Sequence, residues 1–306
     1  MKKILFYVEN NWSFGRIHND LIKVLYPEGI YCDIIDWRIS YSYADFNHFL
    51  RTYDYIVTTI HGSHTLYSSY KVPLSKIGAV AHSNLDLQEI LFRYNLGSDY
   101  FNQLKSYGVI SEYIKQKSFG HRIERTPHIV NVGCFNDLNI KNSSTELRTV
   151  GYVGHIHRAF YEENTDIKRG NLVIKSANNA GLSFVHYQDL HFLCSKSMYK
   201  DFDILMFAST TEGLPTVAIE AICCGVPVLG TETGIFPDIS QSGAGVIFPM
   251  DEDNYVLKAT EILNELKNDS QKYQHMVKCA FEESKKHDWS VAKQSWIQFI
   301  NSLYLK

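Results

Sequence analysis

Ser209-Thr210-Thr211-Glu212-Gly213-Leu214-Pro215-Thr216-Val217-Ala218-Ile219-Glu220-Ala221-Ile222-Cys223-Cys224-Gly225-Val226-Pro227-Val228-Leu229-Gly230 predicts loop, helix, loop and strand in that order. Pro215 suits the first helical position, where a missing N–H costs nothing. Gly225 suits the left-handed cap after the last turn, and Val226 to Leu229 resume as an apolar strand. The helix between them spans about ten residues, or ~15 Å.

The start of such a helix attracts anions, because the amides of Thr216 and Val217 have no intrahelical acceptor and stand at the positive end of the dipole. A carboxylate at Glu212 would repel a phosphate bound there unless it accepts hydrogen bonds from neutral hydroxyls beside that phosphate. Glu220 lies one turn past Thr216 on nearly the same face, a second acceptor suited to a diol. Hydroxyl, phosphate, hydroxyl is the layout of a nucleotide sugar. Two acids facing water satisfy the same spacing.

The chain has 306 residues, enough for two domains. Its 45% hydrophobic and 21% charged residues suit a globular enzyme, and a net charge of −3 argues against a nucleic-acid partner. Residues 1–146 carry 15 Lys/Arg against 14 Asp/Glu, the remainder 15 against 19, a small asymmetry. The run Lys115, Lys117, His121, Arg122, Arg125 can touch anionic lipid headgroups or present a solvated helix face. Only residues 4–8 are apolar before Glu9, too short for a signal peptide or a span. Cys32, Cys134, Cys194, Cys223, Cys224 and Cys279 form no CxxC pair, which fits free thiols in a reducing compartment. A cytoplasmic protein is expected, with peripheral contact at the inner membrane face left open.

Strands are predicted over 3–8, 31–35, 53–59, 76–81, 107–110 and 128–132, with helices over 16–25 and after Ser111. The polar stretch 136–145 reads as a linker. A second round follows, with strands over 149–153, 182–186, 203–207 and 227–230, a turn and short strand within 242–248, and helices over 171–180 and 255–267. Ser290 reads as the N-cap of a final helix whose stripe is Val291, Trp296, Ile297, Ile300 and Leu303. Such alternation predicts α/β domains with parallel, doubly wound sheets.

With its flanks, the segment 209–230 resembles the E-x(7)-E signature of retaining glycosyltransferases of family 4. That resemblance implies the GT-B architecture: two Rossmann-like parallel-sheet domains facing a cleft, and a C-terminal helix returning to the first. The implied domains are 1–142 on the acceptor side, 143–288 for the nucleotide sugar, and 289–306 crossing back. The implied roles place Glu212 on the transferred sugar, Gly213, Leu214, Pro215 and Thr216 on the distal phosphate, and Glu220 on the ribose. Phe14-Gly15-Arg16, Val80-Ala81-His82 and Val132-Gly133-Cys134 are weaker echoes. They imply close approach of donor phosphates at Gly15, and His82 near the transferred sugar and acceptor. His61, followed by Gly62 and His64, is a rival to His82 at another strand end, and a structural His fits either place.

Breaking an anomeric C–O bond builds negative charge on the departing phosphate, so a cation aimed there favours the transition state. The family shows Gly-Arg after the first strand of its second domain and Lys-Gly before the next helix. This chain departs from both: Gly154 is followed by His155, and Arg169 precedes Gly170. Arg169 is the first candidate cation, then Arg158 and Lys168, although ordinary loop cations would look the same. Asp201-Phe202-Asp203 has the look of a metal-binding D-x-D but precedes a buried strand, where the family has a structural acid, so no metal is expected. No G-x-G-x-x-G follows a strand, which weakens a dehydrogenase reading. The resemblance implies a UDP- or GDP-linked sugar as substrate, with residues 184–188 near the base, no cofactor, a glycan or lipid-linked acceptor and front-face transfer. A sugar-nucleotide epimerase would want Ser-Gly-Gly where Thr211-Glu212-Gly213 stands. A non-catalytic sugar-nucleotide binder is the other alternative, kept open by His155.

Overall fold

The most apolar runs of both halves become interior strands buried on both faces, as parallel sheets covered by helices require, while the edge strands are only partly buried. In the computed structural model, residues 1–10, 13–134, 144–157, 166–188, 197–213 and 215–305 are described. The chain divides at Gly133/Cys134 and again at Asp288/Trp289, giving one unit of Met1–Gly133 with Trp289–Lys306 and a second of Cys134–Asp288.

In the first unit β1 (Lys2–Val8), β2 (Ile30–Asp36), β3 (Tyr55–Thr59), β4 (Ile77–Ala81), β5 (Ser106–Val109) and β6 (His128–Ile129) form one parallel sheet in the order β2-β1-β3-β4-β5-β6. Around it lie α1 (Ser13–Leu25), α2 (Tyr43–Thr52), α3 (Ile60–Ser68), α4 (Asn84–Gln88), α5 (Asp99–Gln103) and α6 (Glu112–Gly120). Ser42 with Asp45, and Ser83 with Asp86, build capping boxes, satisfying orphan amides at two helix starts.

The last helix, α12 (Trp289–Leu303), belongs to this first unit. It begins at Trp289, so Ser290 lies inside its first turn instead of capping it. Its buried face is Trp289, Ala292, Trp296, Phe299, Ile300 and Leu303, while Val291 is exposed. Phe299 and Leu303 occupy the space above Gly78 and Gly108, where a Cβ would come within 2.9 and 3.1 Å of them. The small strand residues therefore exist to admit the helix. The predicted strand 128–132 stops at Ile129 because Asn131 turns to α12: its N–H donates to Ser295 Oγ (2.8 Å) and its carbonyl accepts from Trp296 Nε1 (2.9 Å).

The second unit contains β7 (Thr149–Val153), α7 (Gly170–Asn179), β8 (Ser183–Tyr187), β9 (Ile204–Met206), α8 (Thr216–Cys223), β10 (Val228–Thr231), α9 (Phe236–Gln241), β11 (Gly245–Phe248), α10 (Glu252–Asn268) and α11 (Ser270–Ser284). Its parallel sheet runs β11-β10-β9-β7-β8. From β7 the chain goes one way to β8 and then returns to the other side as β9. The switch point lies between β7 and β9, and open α/β sheets bind ligands outside the strand ends at such a point.

The opening segment folds as loop, α8, loop and β10, with two adjustments. Helix α8 spans eight residues, and Pro215 is its N-cap, one position before the expected place. Gly225 adopts φ 73° as the left-handed cap, and a Cβ there would stand 2.2 Å from the Phe281 ring. No helix among the described residues is long and apolar enough to cross a membrane.

Candidate functional site

Two loops flank the switch point of the second unit, one after β7 and one after β9. The second carries Glu212, and Lys168 comes from the segment that leads into α7. Lys168 Nζ lies 2.6 Å from Glu212 Oε1, with both side chains mostly buried. Ser209 Oγ donates to the same oxygen at 2.5 Å. Both contacts fall on Oε1, so among the described residues Oε2 is left to accept from a ligand. Thr210 N donates to Ile167 O (2.9 Å) and sews the two segments together. Thr231, at the end of β10, donates its hydroxyl to Ser209 O. Gly234, at φ 56°, packs against the same loop: a Cβ there would stand 2.3 Å from Gly213 O, so only glycine allows this approach.

Arg169 goes elsewhere. It caps α7 in the left-handed conformation (φ 48°) and is 7% exposed. Its Nε donates to Ala208 O (2.7 Å) and its Nη1 to Met250 O (2.6 Å). Burial lowers its pKa. The guanidinium thus ties the start of α7 to the ends of β9 and β11, while the adjacent Lys168 reaches the carboxylate.

Glu220, in the middle of α8, is 2% exposed. Tyr199, also buried, donates its hydroxyl to Glu220 Oε2 at 2.7 Å. Nothing in the residue spacing marks Tyr199 as a partner, since it precedes the helix by a separate segment. Thr216 is the first residue of α8 and is buried. Gly154, at φ 124°, opens the loop after β7, and the carbonyl of His155 accepts from Tyr152 Oη (2.8 Å). Burial is the first cause raising the Tyr152 pKa, with the charges of Glu212 and Asp166 adding to it. Arg158 and Leu214 lie outside the described residues.

The acids of Asp201-Phe202-Asp203 are engaged within the protein. Asp203 Oδ2 accepts from the amides of Arg148 (2.8 Å) and Thr149 (2.9 Å), and Asp201 Oδ2 from the Tyr187 hydroxyl at 2.5 Å. Asp203, just ahead of β9, thereby fixes the start of β7.

His82 and Gly15 belong to the first unit. His82 follows β4 directly and is 5% exposed. Burial, with His18 nearby, pushes its pKa down to about 3, so it is neutral near pH 7. Its backbone N–H donates to Asp86 Oδ2 at 2.7 Å. Gly15 sits in the first turn of α1, where a Cβ would stand 2.1 Å from Asn10 O. The close approach it permits in this structure is to the chain's own backbone. His61 lies in the first turn of α3, with Nδ1 3.2 Å from Glu89 Oε2.

No curated protein sequence matches the chain. Among solved structures it is similar to a sucrose-phosphate synthase from Thermosynechococcus elongatus, with TM-score 0.70, 12% identity and 99% of each chain covered. It is also similar to HepE of Anabaena, solved in complex with UDP and glucose, with TM-score 0.65, 13% identity, 99% of this chain and 100% of that one. A glycosyltransferase from Rickettsia africae gives TM-score 0.66 at 13% identity, covering 99% and 98%. At these identities the likeness speaks for the fold, which is the GT-B architecture. Residues 135–283, most of the second unit and 149 of the 306 residues, match the family described as glycosyl transferases group 1.

Proposed function

We propose that the chain is a retaining, metal-independent glycosyltransferase that moves a sugar from a UDP- or GDP-linked donor to a glycan or lipid-linked acceptor. The observation that carries this reading is the Lys168–Glu212 pair (2.6 Å) beside the switch point, one short loop ahead of α8. An acid held by a cation next to a helix start can accept from sugar hydroxyls without repelling the diphosphate.

In this reading Glu212 Oε2 accepts from the transferred sugar while Lys168 and Ser209 hold Oε1. Lys168 has further N–H donors to offer the departing phosphate, and their attraction grows as negative charge develops there. Gly213, Leu214, Pro215 and Thr216 line the distal phosphate, and Glu220, oriented by Tyr199, takes the ribose. Residues 184–188 lie near the base. In the first unit, His82 is assigned to the transferred sugar and acceptor, and Gly15 to the donor phosphates. The leaving phosphate takes the acceptor proton on the front face, so no protein nucleophile is required.

The reaction suits cell-surface polysaccharide or glycoconjugate synthesis in the cytoplasm. Peripheral contact with an anionic lipid surface would use the α6 region, where Lys115 and Lys117 accompany the exposed Phe119.

Incubating the protein with radiolabelled nucleotide sugars, with and without acceptors, tests the reading. Transfer or slow donor hydrolysis is expected, with the anomeric configuration kept. An isomerised donor would instead indicate an epimerase, and binding without turnover a non-catalytic relative.

A further inference from the structure

The loop that leaves β7 is held at four backbone points. Gly154 N donates to Tyr187 O (2.9 Å), and His186 Nε2 lies 2.7 Å from Gly154 O. Tyr152 Oη donates to His155 O (2.8 Å), and Gly170 N donates to Ile156 O (2.8 Å). A Cβ on Gly170 would stand 2.9 Å from Ile156 Cα, so glycine lets this loop rest on the first turn of α7. The platform presents His157, an exposed residue that the motif comparison did not single out.

His157 Nδ1 is 2.7 Å from Asp166 Oδ2, and its Nε2 is 3.1 Å from Asn171 Nδ2. Asp166 Oδ1 accepts from Lys168 N at 3.0 Å, and Lys168 Nζ reaches Glu212 Oε1. Lys168 therefore links the two groups, its backbone N–H to the acid beside His157 and its ammonium to the carboxylate at the switch point.

The contacts of His157 suit a neutral ring that donates from Nδ1 and accepts at Nε2. They suit an imidazolium equally well, because turning the Asn171 amide over places its oxygen opposite Nε2–H. Asp166 Oδ2 stands behind the ring as the partner of Nδ1 in either state. The titratable group in contact with the ring is Asp166, and Lys168 and Glu212 follow it through the contacts above.

We propose that His157 binds the donor diphosphate as an imidazolium, with Asp166 as its positioning residue, and supplies a second positive charge beside Lys168. This role rests on the donor-site reading above. On binding, Nε2 exchanges Asn171 for a phosphate oxygen and takes a proton from solvent, and no covalent bond changes.

Calorimetric titration with UDP, GDP, UMP and uridine, in two buffers of different ionisation enthalpy at about pH 8, tests it. The unaltered protein should take up protons when a nucleoside diphosphate binds. His157→Gln should abolish that uptake and weaken the diphosphate about tenfold or more, leaving uridine within about twofold. Asp166→Asn, which keeps the ring, should reduce the uptake. Because His157 is exposed, its replacement should leave the melting temperature unchanged. Diphosphate binding without proton uptake, or with undiminished affinity in His157→Gln, overturns the role of His157 and leaves the donor site standing. If the unaltered protein binds neither UDP nor GDP, the donor-site reading itself falls and His157 with it.

Discussion

Lys168 and Arg169 are consecutive, yet their side chains serve different ends: the ammonium lies 2.6 Å from Glu212 Oε1, and the guanidinium 2.6 Å from Met250 O. The left-handed backbone of Arg169 (φ 48°) separates them. Lys168→Met should lower kcat/KM for the donor by about tenfold to a hundredfold through lost phosphate stabilisation. Arg169→Met should instead cost about 1–3 kcal/mol of stability, because the buried carbonyl of Ala208 and the half-exposed one of Met250 lose charge-assisted partners. Denaturant midpoints and donor kinetics on the two variants separate these outcomes.

The Tyr199 hydroxyl on Glu220 (2.7 Å) orients a carboxylate assigned to the ribose. Tyr199→Phe keeps the ring against Phe202 and removes one hydrogen bond. It should raise KM for the donor by about threefold to tenfold with kcat within about twofold. It should also shrink the affinity difference between the nucleoside diphosphate and its 2′-deoxy form. An unchanged difference would make Tyr199 a packing residue only.

Gly225 combines a positive φ of 73° with contact to the Phe281 ring. Gly225→Ala should destabilise the second unit by about 2–4 kcal/mol, from backbone strain and overpacking together. Thermal melting of the variant measures it.

His82 gives stability an acid limb. Burial lowers its folded-state pKa to about 3, below the value of about 6.5 in an unfolded chain. Between these values the unfolded state binds the extra proton, so the contribution is complete above about pH 6.5 and is lost as pH falls toward 3. The slope is about 1.4 kcal/mol per pH unit from this group. Urea unfolding from about pH 7 to pH 5 should show a weaker pH dependence in His82→Gln than in the unaltered chain.

Much of the fold was legible because parallel strands declare themselves as apolar runs, as in β1, β4 and β7. Gly225 and the two acids of 209–230 marked the helix, its end and the site. Other features depend on geometry that spacing does not encode. The single-residue shift of Pro215 reflects where the backbone turns helical. Arg169 looked like the better cation because it precedes Gly170, and only the tertiary structure reveals that its guanidinium is taken up by the carbonyls of Ala208 and Met250. Tyr199 meets Glu220, and His157 meets Asp166, through tertiary packing across separate segments. Helix α11 was readable in principle: Tyr273, Met276, Val277 and Ala280 are buried at helical spacing, after an Asp269 that caps through its side chain.

The most direct test is donor turnover by Glu212→Ala beside the unaltered chain, with circular dichroism to show that the fold is kept. Glu212 Oε1 is already held by Lys168 and Ser209, so the account predicts that removing the carboxylate lowers kcat by about a hundredfold or more while the fold survives. Turnover near that of the unaltered chain would contradict it.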